Sequence, residues 1–387
     1  MSKFDVAVIG LGAMGAATLY HLAKAGVNAV GIDQFAPPHT EGSTHGETRV
    51  TRCAIGEGHQ YVPLALRSHE IWKELEKECG EQLLFETGAL MVEDGDAAGD
   101  VHGASDFIDT TISAAQKFGI EHEVLSPEQS RERFPQFEVS DKDKVYFEPG
   151  AGYLKVEECV AVQLRRAGEL GADIRTNHRV NLIEDHSDGV TIETDKGTIH
   201  AQKTVVCAGA WAKELLGAPF DQMLTTTRQV LHWFPFDDDH KEQWQDHPVF
   251  IWVHGAGDGF YGLPSLAEPD LLKVANAGYG DVITPQSIDR QVSPQEASQM
   301  HAQHVKDRLA GIGDGAAKSV TCLYTITPDS DFIIDWHPNR DNIFVISACS
   351  GHGFKHSTAI GEAAAQIMAR GKSEIDLSKF QISRFSV

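Results

Sequence analysis

The sequence predicts an α/β fold, and three stretches of the chain carry this prediction. Residues 4–33 have the pattern of a strand, a glycine turn, a helix and a second strand. Residues 180–212 have the pattern of three alternating strands joined by tight turns and followed by an apolar strand. Residues 331–370 have the pattern of a short strand, a glycine loop and a helix. Strands that alternate with helices are typical of a sheet covered by helices.

The first stretch has the features of a dinucleotide-binding unit. An apolar strand at residues 4–9 leads into GLGAMG. Gly10 allows a tight turn, Gly12 lets the backbone approach a pyrophosphate, and Gly15 lets the helix lie close to the sheet. The helix N-terminus then faces the phosphates. Asp33 ends the second strand, where a carboxylate can accept hydrogen bonds from a ribose hydroxyl. This unit alone leaves NAD and FAD open.

The second stretch favours FAD. Turns at residues 188–189 and 196–197 join the strands that begin at Val180, and the apolar strand that follows reaches Gly209. A meander that returns to the nucleotide sheet in this way is familiar in FAD oxidoreductases. We therefore expect an FAD-binding Rossmann-like domain in which Val180 contacts the cofactor.

Composition and charge exclude several classes of protein. The 387 residues include 33 basic and 56 acidic ones, and the formal net charge of −23 repels nucleic acid and anionic lipid. The N-terminal segment lacks a signal peptide pattern, and no run approaches the roughly 18 apolar residues of a membrane helix. The six cysteines show no zinc-ligand spacing. We expect a cytoplasmic protein without a nucleic acid partner, a membrane or a metal.

A set of unusual strings along the chain indicates a family resemblance. They are PPH at 37–39, HGETR at 45–49, YVPLALRS at 61–68, TRQV at 227–230, YGLP at 261–264, DFIID at 331–335 and SGHGFK at 350–355. Together with the nucleotide unit and Cys322 they span nearly the whole chain, which resembles the monomeric sarcosine oxidase and N-methyltryptophan oxidase family. A shared family does not fix the substrate.

The resemblance implies a two-domain architecture that is discontinuous in sequence. An FAD-binding Rossmann-like domain takes residues 1–85, 150–220 and 325–387. A second, mixed-sheet (α+β) substrate domain takes residues 86–149 and 221–324 and roofs the flavin. We expect this two-domain chain to be a monomer.

The resemblance also implies which residues meet the flavin. Cys322 is similar to the cysteine whose thiolate joins the 8α-methyl carbon of the ring, and we expect nearby cations to lower its pKa. His45 and Arg49 are expected against the ring, with Thr48 as a further cofactor contact. If this segment is helical, Arg49 and Arg52 share a face.

A second group of residues is implied where the flavin is reduced and reoxidised. Lys273 is similar to the lysine that lies over the opposite face of the ring, where a fixed positive charge favours the reduction of O2 to an anion. Gly351 and Gly353 belong to the loop before the last predicted helix. We expect their backbone N–H groups to face the negative charge that develops on reduced flavin.

Four residues are implied to surround the substrate. Arg52 and Lys355 are expected to bind its carboxylate, since a guanidinium donates two parallel hydrogen bonds to that group. Tyr261 and Tyr324 are expected to form hydrogen-bonding aromatic walls.

Three positions depart from the family pattern around the substrate. Ala277 stands where the family usually has a histidine, and Cys349 stands in place of a phenylalanine. Trp252 stands where a smaller apolar residue is common. We expect a reshaped pocket, enlarged at Ala277 and Cys349 and partly filled by Trp252, which puts sarcosine itself in doubt as the substrate.

The implied activity is the FAD-dependent oxidation of a secondary, N-methyl amino acid. The N–CH bond becomes an imine that hydrolyses to an aldehyde and a primary amine, and O2 becomes H2O2. Three alternatives stay open. They are a related oxidase of N-methyltryptophan, pipecolate or a fructosyl amino acid, an NAD-dependent dehydrogenase, and a noncatalytic flavin-binding redox module.

Overall fold

The computed structural model describes residues 3–95, 102, 104, 106–255 and 258–385. The strands in chain order are β1 Lys3–Ile9, β2 Ala29–Ile32, β3 Thr48–Thr51, β4 Leu84–Phe85, β5 Ala89–Glu93, β6 Glu123–Leu125, β7 Lys144–Glu148, β8 Gly152–Lys155, β9 Asp173–Arg175, β10 Val180–His186, β11 Gly189–Thr194, β12 Gly197–Val206, β13 Thr225–Pro235, β14 Val249–Val253, β15 Gly259–Pro264, β16 Leu271–Asn276, β17 Val282–Ile283, β18 Lys318–Ile326, β19 Ile333–Trp336 and β20 Ile343–Ser347.

Helices alternate with these strands through most of the chain. The α-helices are α1 Ala13–Lys24, α2 Val62–Cys79, α3 Phe107–Phe118, α4 Pro127–Arg133, α5 Val156–Glu169, α6 Ala212–Leu216, α7 Phe220–Met223, α8 Pro294–Met300 and α9 Ser357–Arg370. A π-helical turn, His301–Val305, continues α8. Short 3-10 turns lie at His59–Tyr61, Gly209–Trp211, Lys241–Trp244, Phe354–His356, Ser378–Phe380 and Ile382–Arg384.

The first sheet carries the N-terminal βαβ unit. Among the described residues its strands run β10–β11–β12–β1–β2–β9, with β20 beside β12 and β19 beside β20. β1 is parallel to both β2 and β12, as expected for strands joined through helices. The predicted βαβ unit and strand meander are confirmed. One detail was wrong: the third alternating strand and the apolar strand that follows it are a single strand, β12.

Two close backbone approaches explain the glycines that position α1. A Cβ at Gly15 would lie 1.7 Å from the carbonyl oxygen of Gly10, so only glycine lets the helix start this close to the turn. Gly10 itself has φ +87°, a conformation that favours glycine. At the other end of the chain, a Cβ at Gly361 in α9 would lie 2.5 Å from the backbone of Ala17 in α1. The glycine within the predicted last helix is therefore explained by packing, because α9 lies directly against α1 at Gly361.

The second sheet is mixed, as predicted. Its described strands run β17–β13–β16–β15–β14–β5–β7–β6, with β18 beside β13. The pairing of β14 with β5 is parallel, whereas those of β14 with β15 and of β15 with β16 are antiparallel. Large aromatic side chains fill the core on one of its faces, among them Phe137, Trp244, Phe250 and Phe260.

A small third sheet, β3–β8–β4, carries the arginine segment. β3 pairs with β8 from Thr48, opposite Lys155, to Thr51, opposite Gly152. The conditional expectation of a helix here is therefore wrong, because this segment satisfies its backbone in a sheet.

The first and second sheets correspond to the two expected domains. Every described strand of the first sheet lies within residues 1–85, 150–220 or 325–387. Every described strand of the second lies within residues 86–149 or 221–324, except that β18 ends two residues later, at Ile326. The domain boundaries themselves stay a prediction.

Candidate active site

One continuous cavity joins the first sheet to the second. It begins outside the C-terminal ends of β1 and β2, which is where open α/β sheets bind their ligands. The predicted residues that line it are Gly10, Gly12, Asp33, Val180, Arg49, Tyr261, Tyr324, Gly351, Gly353, Arg52 and Lys355. The structure therefore brings most of the predicted cofactor and substrate residues to one place.

The nucleotide end of the cavity is held by Asp33. Its carboxylate accepts hydrogen bonds from the backbone N–H of Leu11 at 2.7 Å and of Phe35 at 2.8 Å. These contacts fix the glycine turn against the end of β2. At the start of α1, the backbone N–H of Ala13 donates to Thr44 Oγ1 at 3.3 Å, and this threonine also lines the cavity.

The middle of the cavity is built around Arg49. Its guanidinium donates to the carbonyl oxygens of Ser43, at 3.0 Å, and Thr48, at 3.1 Å, and lies 3.8 Å from Cys322 Sγ. Backbone carbonyls hold this buried cation without cancelling its charge. An arginine fixed in this way supplies a permanent positive field beside whatever lies in the cavity.

Two tyrosines form the wall near the arginine. The hydroxyls of Tyr261, on β15, and Tyr324, on β18, lie 3.2 Å apart. Burial raises the pKa of Tyr261 and raises that of Tyr324 well above its usual value, so both stay neutral hydrogen-bonding groups. A ligand in the cavity meets apolar ring surface with polar tips.

The thiol of Cys322 does not have the lowered pKa that the sequence suggested. Cys322 is completely buried, and this burial raises its pKa. The positive charges of Arg49 and Lys273 act in the opposite direction but do not outweigh desolvation. The expectation is corrected for this reason.

Lys273 lies behind the arginine segment rather than on the cavity surface. Its ammonium donates to the carbonyl oxygens of Gly46, at 2.8 Å, and Thr48, at 2.5 Å, and to Thr48 Oγ1 at 2.6 Å. Burial and then Arg49 lower the pKa of Lys273 well below its usual value. Three oxygen acceptors nevertheless match the three N–H groups that only the ammonium possesses. These contacts identify Lys273 as a charged ammonium held against Thr48.

His45 is also buried behind the cavity surface. Burial and then Arg49 lower its pKa to about 3, so its imidazole is neutral. Its Nε2 atom is buried without a hydrogen-bond partner. Thr48 likewise does not line the cavity, since its side chain meets Lys273 and the carbonyl of Pro264.

The far end of the cavity holds two cations around a carboxylate that the sequence analysis missed. Arg52 donates to Glu57 at 2.6 Å and to the carbonyl oxygen of Ala54 at 2.5 Å, and Lys355 Nζ lies 3.7 Å from the same glutamate. Burial alone would raise the pKa of Glu57, but Arg52 and then Lys355 hold it well below its usual range. With one anion between two cations, this end keeps a net positive charge.

His102 is a second missed residue at this end. It lies 3.8 Å from Glu57, stacks on Tyr279 and packs beside His352. Both of its ring nitrogens are buried without a hydrogen-bond partner. Nothing in the local sequence indicates that His102 lines the cavity, because this residue comes from the segment between β5 and α3.

Two of the predicted pocket changes do not lie in the cavity wall. Trp252 is 1% exposed, stacks on Phe260 and donates to Asp94 at 2.6 Å on the other face of β14. Ile251, its neighbour in the strand, lines the cavity instead. The substrate role of Trp252 is corrected because adjacent strand residues face opposite ways. Ala277 is likewise buried in the apolar core rather than in the wall.

The third departure, Cys349, does line the cavity. A cysteine there leaves more room than the phenylalanine that the family pattern has. The expected enlargement of the pocket is therefore placed at this position alone.

The cavity fits a ligand with many hydrogen-bonding atoms. Buried side-chain atoms without a protein partner point to such a ligand at Thr325 Oγ1, Ser347 Oγ and Arg52 Nε, and all three residues line the cavity. Since buried polar atoms are nearly always paired, these orphans mark places where a bound molecule supplies the partner. Thr325 and Ser347 would offer hydrogen-bonding partners to a dinucleotide held in this cavity.

A family model decides which dinucleotide this is. The model of the FAD dependent oxidoreductase family (DAO) matches residues 5–367. The chain belongs to this family. As a DAO-family member it is a flavin-dependent oxidoreductase whose cofactor is FAD.

The relatives of this DAO-family chain include two named activities. Monomeric sarcosine oxidase from Bacillus sp. (strain NS-129) is 38% identical over 386 residues, which cover 99% of this chain and 97% of the relative. N-methyl-L-tryptophan oxidase from Yersinia pestis (strain Pestoides F) is 35% identical over 384 residues, which cover 99% of both. The resemblance seen in the sequence strings is therefore confirmed over the full length.

Solved structures share the DAO fold at lower identity. NikD, an amino acid oxidase essential for nikkomycin biosynthesis, aligns with a TM-score of 0.80 at 20% identity and covers 98% of both chains. Glycine oxidase from Geobacillus kaustophilus aligns with a TM-score of 0.76 at 20% identity over 100% of both chains. In the part of the chain that the structure describes, no helix is both long and apolar enough to span a membrane.

Proposed function

We propose that this protein is an FAD-dependent oxidase of secondary, N-methyl amino acids. One observation carries the proposal: the cavity that begins at the dinucleotide turn ends at the cation pair of Arg52 and Lys355, with Tyr261 and Tyr324 between. A substrate with a carboxylate at one end and an amine at the other fits this order of groups. The names of the relatives support the same class of substrate.

Arg52 and Lys355 orient the substrate by its carboxylate. Both cations are almost fully buried, and solvent screens buried charges much less than surface ones. Glu57 holds the Arg52 guanidinium in place by accepting a hydrogen bond from it. The Nε–H of Arg52, which has no protein partner, is a further donor for the substrate carboxylate. Binding one end of the substrate in this way fixes where its N–CH carbon lies, and such positioning supplies much of a rate enhancement.

The chemistry of electron transfer belongs to the cofactor. FAD, when bound, would supply the redox chemistry, as the acceptor of two electrons from the N–CH bond that O2 would then take up to give H2O2. The substrate must react as a neutral amine, because its nitrogen lone pair is needed to form the imine. Released imine hydrolyses to an aldehyde and a primary amine. The fixed charge of Lys273, directly behind Thr48, favours the anionic product of the first electron transfer to O2.

We propose a covalent link between Cys322 and the flavin. Cys322 does not line the cavity itself, but its Sγ lies 3.8 Å from the Arg49 guanidinium and it packs with Tyr324, and both of these neighbours line the cavity that carries the dinucleotide turn. A thioether fits a buried sulfur better than a thiolate does, since it carries no charge to desolvate. The family resemblance of the Cys322 segment supports the same assignment.

The remaining assignments follow from this function. His45, Thr48, Gly351 and Gly353 are proposed as the surroundings of the flavin. The two-domain division, a monomeric state and a cytoplasmic location are proposed with it.

Anaerobic titration with N-alkyl amino acids tests the function. We expect an N-methyl amino acid to bleach the flavin spectrum, and admission of air to restore the spectrum with release of H2O2. A panel of sarcosine, N-methyltryptophan, pipecolate and fructosyl amino acids separates the related oxidases. If purified protein carries flavin that no amine bleaches, a redox module is favoured, and if it carries no flavin, the proposal fails.

A further inference from the structure

We propose that two glutamates, the buried Glu148 and the half-buried Glu157, are positioning residues that hold Arg52 and Lys273 in place through the backbone. Each carboxylate binds the backbone N–H of a residue whose own carbonyl oxygen accepts a hydrogen bond from one of the two cations. The inference rests on the proposed function, which gives Arg52 the substrate carboxylate and Lys273 the oxygen step. It adds that Glu148 sets the geometry of carboxylate binding, whereas Glu157 sets that of the oxygen step.

Glu148 holds the peptide that orients Arg52. One oxygen of its carboxylate accepts from the backbone N–H of Cys53 at 2.7 Å, and the other accepts from that of Ala54 at 3.1 Å. The hydroxyl of Tyr146 donates to the second oxygen at 3.1 Å. The carbonyl oxygen of Ala54 in turn accepts from Arg52 Nη1 at 2.5 Å. The orientation of the guanidinium therefore depends on where Glu148 fixes Ala54.

Glu157 does the same for Lys273 from the other side of β3. Its carboxylate accepts from the backbone N–H of Gly46 at 2.7 Å and from that of Glu47 at 3.1 Å. The carbonyl oxygen of Gly46 accepts from Lys273 Nζ at 2.8 Å. The position of the ammonium therefore depends on where Glu157 fixes Gly46.

The two contacts act independently because they belong to different elements. Glu148 is the last residue of β7 in the second sheet, and Glu157 lies in the first turn of α5. One contact follows β3 and the other precedes it, so together they bracket the strand that carries Thr48 and Arg49. Loss of one contact frees one end of the segment and leaves the other end held.

A carboxylate is required at each place by hydrogen-bond geometry. Two consecutive backbone N–H groups point at one side chain, and only a carboxylate offers them two acceptor oxygens. Glutamine keeps the size and shape but places an NH2 group against one of the donors. A buried donor left without an acceptor costs stability and lets the segment shift. Glutamine substitutions therefore test position without removing bulk.

The experiment compares Glu148→Gln and Glu157→Gln in the FAD-loaded protein with two separate readouts. The first is the Kd of propanoate, followed by the change that it causes in flavin absorbance. The second is the rate at which dithionite-reduced protein is reoxidised by O2 in the absence of substrate. We expect E148Q to raise the propanoate Kd about tenfold and E157Q to slow reoxidation about tenfold, each leaving the other quantity within about twofold.

Glu93→Gln is the matched control. Glu93 is also a buried glutamate of the second sheet, and it accepts a backbone N–H from Ile108 at 3.4 Å. It does not line the cavity, and we expect E93Q to leave both readouts unchanged. A general loss of stability would affect all three variants, whereas the proposed roles predict a crossed pattern.

Two further variants keep the outcome decisive. If E148Q does not fold, Tyr146→Phe removes one hydrogen bond from Glu148 and is expected to raise the propanoate Kd about threefold. Arg52→Gln tests the proposed function on its own. If R52Q weakens propanoate binding while E148Q and Y146F do not, the positioning role is refuted and the function stands. If R52Q has no effect on binding, the assignment of Arg52 itself is wrong.

Discussion

Carboxylate binding at the far end of the cavity should weaken as the pH rises through 8. Burial lowers the pKa of Lys355 from 10.5 to about 8, with Glu57 raising it and Arg52 lowering it further. Below pH 8 the side chain is an ammonium that attracts a carboxylate. Above pH 8 it loses its proton, and with it the charge that the ligand needs.

The size of the effect follows from proton linkage. A bound carboxylate stabilises the ammonium and so raises the pKa of Lys355, at most back to its usual 10.5. The Kd then rises about tenfold per pH unit over about 2.5 units, which is about 3 kcal/mol in total. Arg52 stays charged throughout and supplies the affinity that remains. The pKa values of Glu57 and His352 are both held well below their usual ranges, so neither group titrates in this window.

Propanoate is the ligand for the assay because it has no amine that titrates between pH 7 and 10. Its Kd is measured by flavin absorbance at constant ionic strength across this range. We expect log Kd to be flat below pH 8 and to rise with a slope near one above it. Lys355→Met should bind more weakly and show no break. The reasoning is refuted if the unaltered protein shows no break, or if K355M retains it.

Four other substitutions test single assignments. Cys322→Ser should release its flavin into the supernatant on acid precipitation, whereas unaltered protein should keep the colour in the pellet and a flavin mass on the Cys322 peptide. His102→Ala should change the ratio of kcat/KM between two N-methyl amino acids, since both of its ring nitrogens lack a partner at the cavity; an unchanged ratio would contradict this role. Ile251→Phe should change the same ratio, whereas Trp252→Phe should leave it constant. Trp252→Phe should instead lower the free energy of unfolding by about 1 kcal/mol through the lost hydrogen bond to Asp94, as measured by denaturant titration.

The parts of the fold that the sequence predicted are those fixed by local contacts. The nucleotide turn is one: Gly10 and Gly15 meet each other within six residues, so the pattern of glycines carries the geometry directly. The meander from Val180 is another, since its turns join strands that pair with their neighbours. Cofactor class and sheet type follow from such segments.

The errors arose where a one-residue difference reverses a side chain. Trp252 and Ile251 are adjacent in β14, and the strand places one in the aromatic core and the other on the cavity. A slip of one position exchanges these roles. The conditional helix at residues 45–52 failed for another reason: the strand Thr48–Thr51 within it depends on pairing with β8, about a hundred positions away.

The glutamates Glu57, Glu148 and Glu157 escaped the sequence analysis for a different reason. An acidic residue is most often a solvated surface group, and nothing in the local sequence distinguishes these three from the others. Their function becomes visible only through partners that the fold supplies. Glu148, for example, is 1% exposed and meets backbone groups 94 and 95 positions away.

The way in which the cations are held explains why the cavity favours anions. Arg49 and Lys273 are held by backbone and hydroxyl oxygens, which satisfy their N–H groups and leave their charges intact. Arg52 and Lys355 share one carboxylate, Glu57, so two buried cations face one anion at the far end of the described cavity. Had glutamates contacted the cations directly, the field would cancel. Because the other glutamates act one peptide away, the positions of the cations are fixed while the positive field that binds a carboxylate and stabilises reduced species is preserved.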